Sequence, residues 1–108
     1  MICYVEDEVI RCLLEANYVK SANLSLKRIR DADTIAIGRP IKVINFEALG
    51  LDENEIGDKG AEAIGKNESW SKLKILGLSN NKIGDNGAIG IGSNTTWINL
   101  EQLWLSEN

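Results

Sequence analysis

Two consecutive segments of this chain decide its fold: FEALGLDENEIGDKGAEAIGKNESWSK at residues 46–72 and LKILGLSNNKIGDNGAIGIGSNTTWIN at residues 73–99. Aligned without gaps, 13 of their 27 positions are identical. A further copy begins at Leu100 as LEQLWLSEN and extends to Asn108. Self-similarity at a fixed period of this length is typical of repeat architectures, in which each copy forms one unit and neighbouring units bury each other's apolar faces.

The same register extends towards the N-terminus with more substitutions. Within residues 19–45, Leu24, Ile29 and Asp31 each precede a counterpart in the next copy by 27 residues. Lys27 stands where the later copies have Asn. We therefore interpret 19–45 as a degenerate repeat. Residues 1–18 combine an acidic first turn with a helical apolar stripe, and this pattern predicts an N-terminal capping helix.

Each repeat divides into a strand and a helix. Leu49 and Leu51 alternate, so they point to one side of a strand and are expected to face the core. Asn54 in the following turn is predicted to be buried, with its amide satisfying backbone groups. Asp58 is predicted to cap a helix that extends to about Lys66. Asn67, and Asn94 in the next repeat, are expected to end the helices, because Asn tolerates the left-handed conformation found there.

Stacked units of this kind predict a single α/β domain over residues 1–108. We expect a right-handed solenoid, with parallel strands on the concave face, helices on the convex face and no C-terminal cap. Trp70 and Trp97 recur at the repeat period, so they are expected in the core. The predicted parts are a capping helix at 1–18, the degenerate repeat at 19–45, repeats at 46–72 and 73–99, and a partial repeat at 100–108.

The pattern L-x-x-L-x-L-x-x-N-x-I-G-D-x-G-A resembles the leucine-rich repeat of the ribonuclease-inhibitor class. It is also similar to the repeats of NOD-like receptors and of Ran GTPase-activating protein. The resemblance covers residues 46–108, and 19–45 in weaker form. This sequence departs from the pattern at Phe46, at Lys27, at the two recurring tryptophans and in lacking a C-terminal cap.

Composition narrows the function to binding. The chain has no histidine, which removes the commonest general base and metal ligand, and it has no Cys/His spacing typical of zinc. We therefore expect no catalytic residues, no cofactor and no metal. Net charge of -4 argues against a nucleic-acid partner, since neutralising phosphates needs a basic surplus. No apolar run approaches the roughly 20 residues of a membrane span, so no membrane partner is expected.

Localisation is predicted from the N-terminus and the cysteines. MICYVEDEV lacks the basic start and apolar stretch of a signal peptide, and two cysteines make no disulfide framework. The expectation is a cytoplasmic protein, with a secreted effector or a fragment of a longer chain as the alternatives.

One motif is a by-product of the repeat. GAEAIGKN at residues 60–67 approaches the phosphate-binding pattern G-x-x-x-x-G-K-[ST]. Asn67 replaces the hydroxyl residue, and the segment is predicted to be helical instead of forming a loop after a strand. The equivalent residues 87–94 lack the lysine. We expect no nucleotide site here.

The non-leucine positions of each strand are expected to face solvent on the concave side, where a protein partner of unknown identity would bind. Trp104 is the sharpest feature, because Gly50 and Gly77 are its equivalents and the architecture does not require an aromatic. It either anchors a partner, covers the C-terminal edge of the sheet, or is simply exposed. The acidic residues could receive a basic partner, although a solvated acidic face is favoured. The predicted partner-binding residues are Asn23, Ser25, Asp52, Glu53, Ile75, Ser79, Asn80, Gln102, Trp104, Ser106 and Glu107.

The last predicted strand offers an alternative function. Its outer edge would be unpaired, and nothing in the sequence after it covers Leu100, Leu103 and Leu105. The runner-up interpretation is therefore a structural or self-associating repeat protein, a possible homodimer through this C-terminal edge, or a fragment of a larger regulatory or effector protein.

Overall fold

The computed structural model describes residues 21–38, 47–68 and 70–108. In this part of the chain, four strands alternate with three helices. The strands are β1 (Ser21–Asn23), β2 (Ala48–Gly50), β3 (Ile75–Gly77) and β4 (Gln102–Trp104). The helices are α1 (Asp31–Gly38), α2 (Asp58–Gly65) and α3 (Asp85–Gly92). The capping helix expected over residues 1–18 lies outside the described residues.

The four strands form one parallel sheet in the order β1-β2-β3-β4. Every residue pairs with one 27 positions away: Ala48 lies opposite Ile75, and Ile75 lies opposite Gln102. β1 pairs with β2 at the same spacing, so the described part of the degenerate repeat joins the sheet in phase. The repeat period of the sequence is thus the register of the sheet, and the predicted parallel α/β repeat fold is confirmed.

The core consists of columns of equivalent side chains between the sheet and the helices. Leu49 and Leu76 are buried in one column, and Leu24, Leu51 and Leu78 in the next. The helices add Ala61, Ile64 and Ile91, and the connecting segments add Ile29, Ile56, Ile83 and Leu73. Each unit therefore depends on its neighbours for burial of its apolar side chains, as expected for stacked repeats.

Asn54 is buried and satisfies backbone groups on two repeats, as predicted. Its Oδ1 accepts hydrogen bonds from the backbone N–H groups of Lys27 (3.0 Å) and Ile29 (3.1 Å). Its Nδ2 donates to the carbonyl oxygens of Leu24 (2.9 Å) and Leu51 (3.0 Å). One side chain thus replaces the partners that the backbone loses where the chain turns out of the sheet.

Asn81 and Asn108 repeat this arrangement one and two units later. Asn81 Nδ2 donates to the carbonyl oxygens of Leu51 and Leu78, and its Oδ1 accepts from the N–H of Ile56. Asn108 Nδ2 likewise donates to the carbonyl oxygen of Leu78 at 2.8 Å. We call Asn54, Asn81 and Asn108 the asparagine ladder.

The predicted role of Asp58 as the cap of its own helix is wrong. Gly57 is the N-cap of α2, and no side chain caps it. Asp58 Oδ1 instead accepts hydrogen bonds from the N–H groups of Gly84 (2.7 Å) and Gly87 (2.9 Å), at the start of α3 in the next repeat. Asp31 Oδ1 similarly accepts from the N–H of Gly57 at 2.6 Å. The carboxylate of each repeat therefore binds the helix N-terminus that follows it, where negative charge is favourable.

The helices end in a different way from the one predicted for Asn67 and Asn94. The C-caps are Lys66 and Ser93, both in the right-handed helical region, with φ of -87° and -82°. Asn94 Nδ2 donates across the repeats to the carbonyl oxygens of Gly65 (2.8 Å) and Asn67 (2.7 Å). Asn94 thus joins neighbouring units at the helix C-termini, and neither helix ends through a left-handed residue.

Trp70 and Trp97 lie in the core, as predicted from their recurrence. They are buried, and their rings stack with centroids 6.2 Å apart and planes 11° apart. Offset stacked aromatic pairs at this separation add to the burial of their area. The indole N–H of Trp97 is buried with no hydrogen-bond partner among the described residues.

The asparagine ladder gives a stability prediction. Asn54→Ala removes every hydrogen bond of this amide, so two backbone N–H groups and three carbonyl oxygens lose a partner. Because each orphaned buried group costs about 1–3 kcal/mol, we expect the free energy of unfolding to fall by about 3 kcal/mol or more. Urea denaturation followed by circular dichroism measures this loss.

Asn86→Ala is the matched control. Asn86 is exposed in the first turn of α3, so its replacement should change the free energy of unfolding by no more than about 0.5 kcal/mol. Equal losses in the two variants would contradict the role assigned to the ladder.

Candidate protein-binding face

The side of the sheet opposite the core carries four columns of equivalent positions, each spaced by 27 residues. We call these residues the sheet face. Its columns are Ser21, Ala48, Ile75 and Gln102; Asn23, Gly50, Gly77 and Trp104; Ser25, Asp52, Ser79 and Ser106; and Leu26, Glu53, Asn80 and Glu107. All of the predicted partner-binding residues lie in these columns, so the sheet brings them together on one side.

An open groove of about 340 Å³ crosses the sheet face and is lined by residues from all four strands. Trp104 lies at one end of it, and Asn23 and Ser25 lie at the other. Asp52 and Ile75 line it in between. The groove therefore spans the width of the sheet in a direction across the strands. Its lining also includes Ser21, Ala48, Gly50 and Gly77, which the sequence analysis did not single out as binding residues.

Two glycines in the column of Trp104 line the groove. Gly50 and Gly77 have no side chains, so the column is narrow at the centre of the sheet face and ends in a large indole. Trp104 is 50% exposed, and its Nε1 donates to Gln102 Oε1 at 3.2 Å. The side chain therefore stands at the rim of the groove, partly oriented by its neighbour on β4.

Asp52 reaches from its own repeat to the next one. Its Oδ1 accepts a hydrogen bond from the N–H of Ser79 at 2.8 Å. A Cβ added to Gly77 would overlap Asp52 Oδ2, whereas a Cβ added to Gly50 would lie 3.6 Å from its nearest neighbour, Asn23 Oδ1. Gly77 thus makes room for the carboxylate, which lies over the backbone of β3.

The fourth column has an unusual backbone conformation. Leu26, Glu53, Asn80 and Glu107 have φ between 57° and 60°, in the left-handed region. Each of them stands directly before an asparagine-ladder position or its equivalent, Lys27. The side chains of Glu53, Asn80 and Glu107 are exposed. These residues form the turn in which the chain leaves the sheet. The left-handed residue and the ladder position that follows it belong to the same turn.

The structure differs from the sequence analysis at Ser79. This residue was expected to face solvent, but it is buried, because the Asp52 carboxylate binds its N–H and Ser106 Oγ lies 3.1 Å from its own Oγ. Asn23, Gln102 and Ser106 are exposed, and Ser25 and Ile75 are half-buried. Small and polar side chains therefore form most of the accessible surface beside Trp104.

The described residues offer little for other kinds of site. Residues 60–65 of the near-match to the phosphate-binding pattern lie within α2, which is helical as predicted. No group of three His, Cys, Asp or Glu side chains in the described ranges could hold a metal ion. Within those ranges, no helix has the length and apolar character needed to cross a bilayer.

Comparison with known families agrees with this geometry. The model for "Leucine Rich repeat" matches residues 44–65 and 71–92. These two segments are similar to leucine-rich repeats. Each match includes one strand, the turn with its ladder asparagine, and one helix. Neither the curated proteins nor the solved structures give a match to this chain. Leucine-rich repeats are generally protein-interaction modules and typically are not enzymes.

The two glycines of the groove give the next prediction. Gly77→Ala displaces the Asp52 carboxylate and its bond to Ser79, so the free energy of unfolding should fall by about 1–2 kcal/mol. Gly50→Ala has room for its methyl group, and it should be neutral or stabilising by up to about 1 kcal/mol, since Gly is unfavourable within a strand. Chemical denaturation of both variants measures the difference.

A double-mutant cycle isolates the contact. In an Asp52→Ala background, Gly77→Ala should lose most of its penalty, because the clashing carboxylate is absent. If the penalty of Gly77→Ala is the same in both backgrounds, the proposed contact between Gly77 and Asp52 is wrong.

Proposed function

We propose that this chain is a protein-binding module that docks a macromolecular partner on its sheet face. The observation that carries the proposal is the groove across all four strands, with a half-exposed tryptophan at one end. Exposed aromatic side chains beside a cavity are typical anchors of interfaces, where a few residues supply most of the binding energy. Asp52, Glu53, Gln102 and Glu107 would form the polar surroundings of this anchor.

The finer architecture belongs to the same proposal. The chain would be a right-handed solenoid of the ribonuclease-inhibitor class, with the sheet face on the inner curve and the helices outside. Its support is one helix per 27-residue unit and the near-universal right-handedness of crossovers between parallel strands. A protein partner is favoured over nucleic acid, because none of the sheet-face residues is Lys or Arg.

Peptide display tests the function directly. A random peptide library is selected on the wild-type protein, and the selected peptides are then measured on Gly50→Gln. Trp104 occupies the same column as Gly50, so the column accommodates a large side chain, and Gln adds bulk to the groove without adding charge. We expect the selected peptides to lose about tenfold or more in affinity, equivalent to roughly 1.4 kcal/mol.

Lys59→Gln is the control, because Lys59 is exposed on α2, away from the sheet face. The selected peptides should bind this variant as they bind the wild type. A selection that yields no peptides sensitive to Gly50→Gln would reject the sheet face as the binding site.

A second candidate function is self-association through β4, and the last repeat supplies the observations that favour it. Within the described residues, β4 pairs only with β3. Leu103 is 37% exposed, whereas its equivalents Leu49 and Leu76 are buried. Asp85 is exposed, although its equivalents Asp31 and Asp58 each bind the helix N-terminus of the next repeat. In the earlier repeats, the equivalent groups contact the next repeat. In the last repeat they are exposed, so a second copy of the chain could bind to them.

Light scattering at several protein concentrations tests this candidate. We expect the average mass to rise with concentration for the wild type and to stay that of a monomer for Leu103→Lys, since a charge in the edge opposes its burial. Leu26→Lys is the control, because Leu26 is exposed at the β1 end of the sheet and should leave association unchanged. A wild-type mass independent of concentration would reject self-association.

A further inference from the structure

The charge of the sheet face points to the chemistry of its partner. Asp52, Glu53 and Glu107 are acidic, and no residue in the four columns is basic. The basic residues in the described ranges therefore lie outside these columns. A partner that buries this face must bring positive charge to it, because complementary charge steers association and unpaired buried carboxylates are costly.

Asp52 and Trp104 are neighbours in the groove. Gly77 pairs directly with Trp104 in the sheet, so their backbones are neighbours at the strand spacing of about 4.8 Å. Asp52 Oδ2 occupies the space that a Gly77 Cβ would need, so the carboxylate covers the backbone of β3. Both Asp52 and Trp104 line the same groove. A carboxylate over β3 and a half-exposed indole on β4 thus lie on adjacent strands.

The Asp52 carboxylate has capacity for a ligand. Oδ1 accepts the hydrogen bond from the N–H of Ser79, which holds the side chain over β3. Oδ2 accepts no hydrogen bond from any described residue. Asp52 is only half-buried, so a partner can reach this oxygen without a rearrangement of the sheet.

We infer that the groove binds an arginine side chain of a basic protein segment, with the guanidinium paired with the Asp52 carboxylate and stacked on the Trp104 indole. This inference rests on the proposed function of the sheet face and names its partner class. Arginine fits better than lysine for two reasons. Its planar guanidinium stacks on aromatic faces, and it binds a carboxylate through a fixed fork of donors, whereas an ammonium is a compact, strongly hydrated charge.

Binding of acetylated, amidated tetra-arginine to the full chain, measured by calorimetry at low salt, tests the inference. Tetra-lysine has the same charge, and we expect it to bind about threefold or more weakly. Asp52→Asn keeps the Oδ1 acceptor for Ser79 but removes the charge, and Trp104→Leu removes the stacking surface. Each should weaken tetra-arginine binding by about threefold to fivefold.

Glu101→Gln is the matched control, because Glu101 is an exposed acid outside the groove lining, and this variant removes the same charge as Asp52→Asn. It should alter the affinity by less than about twofold, because an exposed charge outside the groove makes no direct pair with the bound guanidinium. Acrylamide quenching gives a second measurement: Trp70 and Trp97 are buried, so tetra-arginine should protect the fluorescence of Trp104.

Several outcomes would overturn the inference: no binding of tetra-arginine, equal binding of tetra-lysine, or equal weakening by Asp52→Asn and Glu101→Gln. If a higher protein concentration without peptide protects Trp104 from acrylamide quenching, the groove binds a second copy of the chain. That result would also overturn the inference. The display experiment separates these failures from failure of the proposed function. Peptides sensitive to Gly50→Gln but not enriched in arginine would keep protein binding and reject the arginine site.

Discussion

The structure depends on the amides of the asparagine ladder, of which that of Asn54 is buried. A chain that leaves a parallel strand and turns into the next element leaves backbone N–H and carbonyl groups unpaired inside the stack, and burial of such groups is costly. Asn54 binds two N–H groups of the preceding repeat and carbonyl oxygens on both sides of the interface. The amide is suited to this position because one planar group both donates and accepts. The tight turn that it stabilises explains why the preceding residue, Glu53 or Asn80, adopts a left-handed conformation.

Several other specific contacts also cross between neighbouring repeats. The carboxylate of Asp58 binds the start of α3, the amide of Asn94 binds the end of α2, and the rings of Trp70 and Trp97 stack across the same interface. A Cβ added to Gly65 would overlap the carbonyl oxygen of Gly90, so the helices approach at glycine. Stability in such a stack is a sum of contributions from units and their nearest neighbours. Substitutions at these positions therefore act on an interface as well as on a unit.

The sheet face follows from the same constraint. The repeat fixes the leucines, the ladder asparagine and the helix positions, and it leaves the outward strand positions free to vary. One column of these positions has glycine at Gly50 and Gly77 and tryptophan at Trp104. The groove is therefore a local departure from the repeat. Asp52 shows how the face and the scaffold are coupled, because its carboxylate binds the backbone of the next repeat while it lines the groove.

The sequence by itself determined the period, the register and the sides of the strands. Leucine alternation and the 27-residue spacing leave a parallel sheet as the arrangement in which equivalent residues align, and they also place Asn54, Trp70 and Trp97 in the core. Only the tertiary structure decided to which repeat each polar side chain forms its hydrogen bonds. Asp58 and Asn94 were correctly identified as residues near helix ends, but they bind the adjacent unit instead of their own helix. A hydrogen bond across a stack depends on the distance between two backbones that no single repeat specifies. For the same reason, the burial of Ser79 and the position of the Asp52 carboxylate over Gly77 could not be deduced from one strand alone.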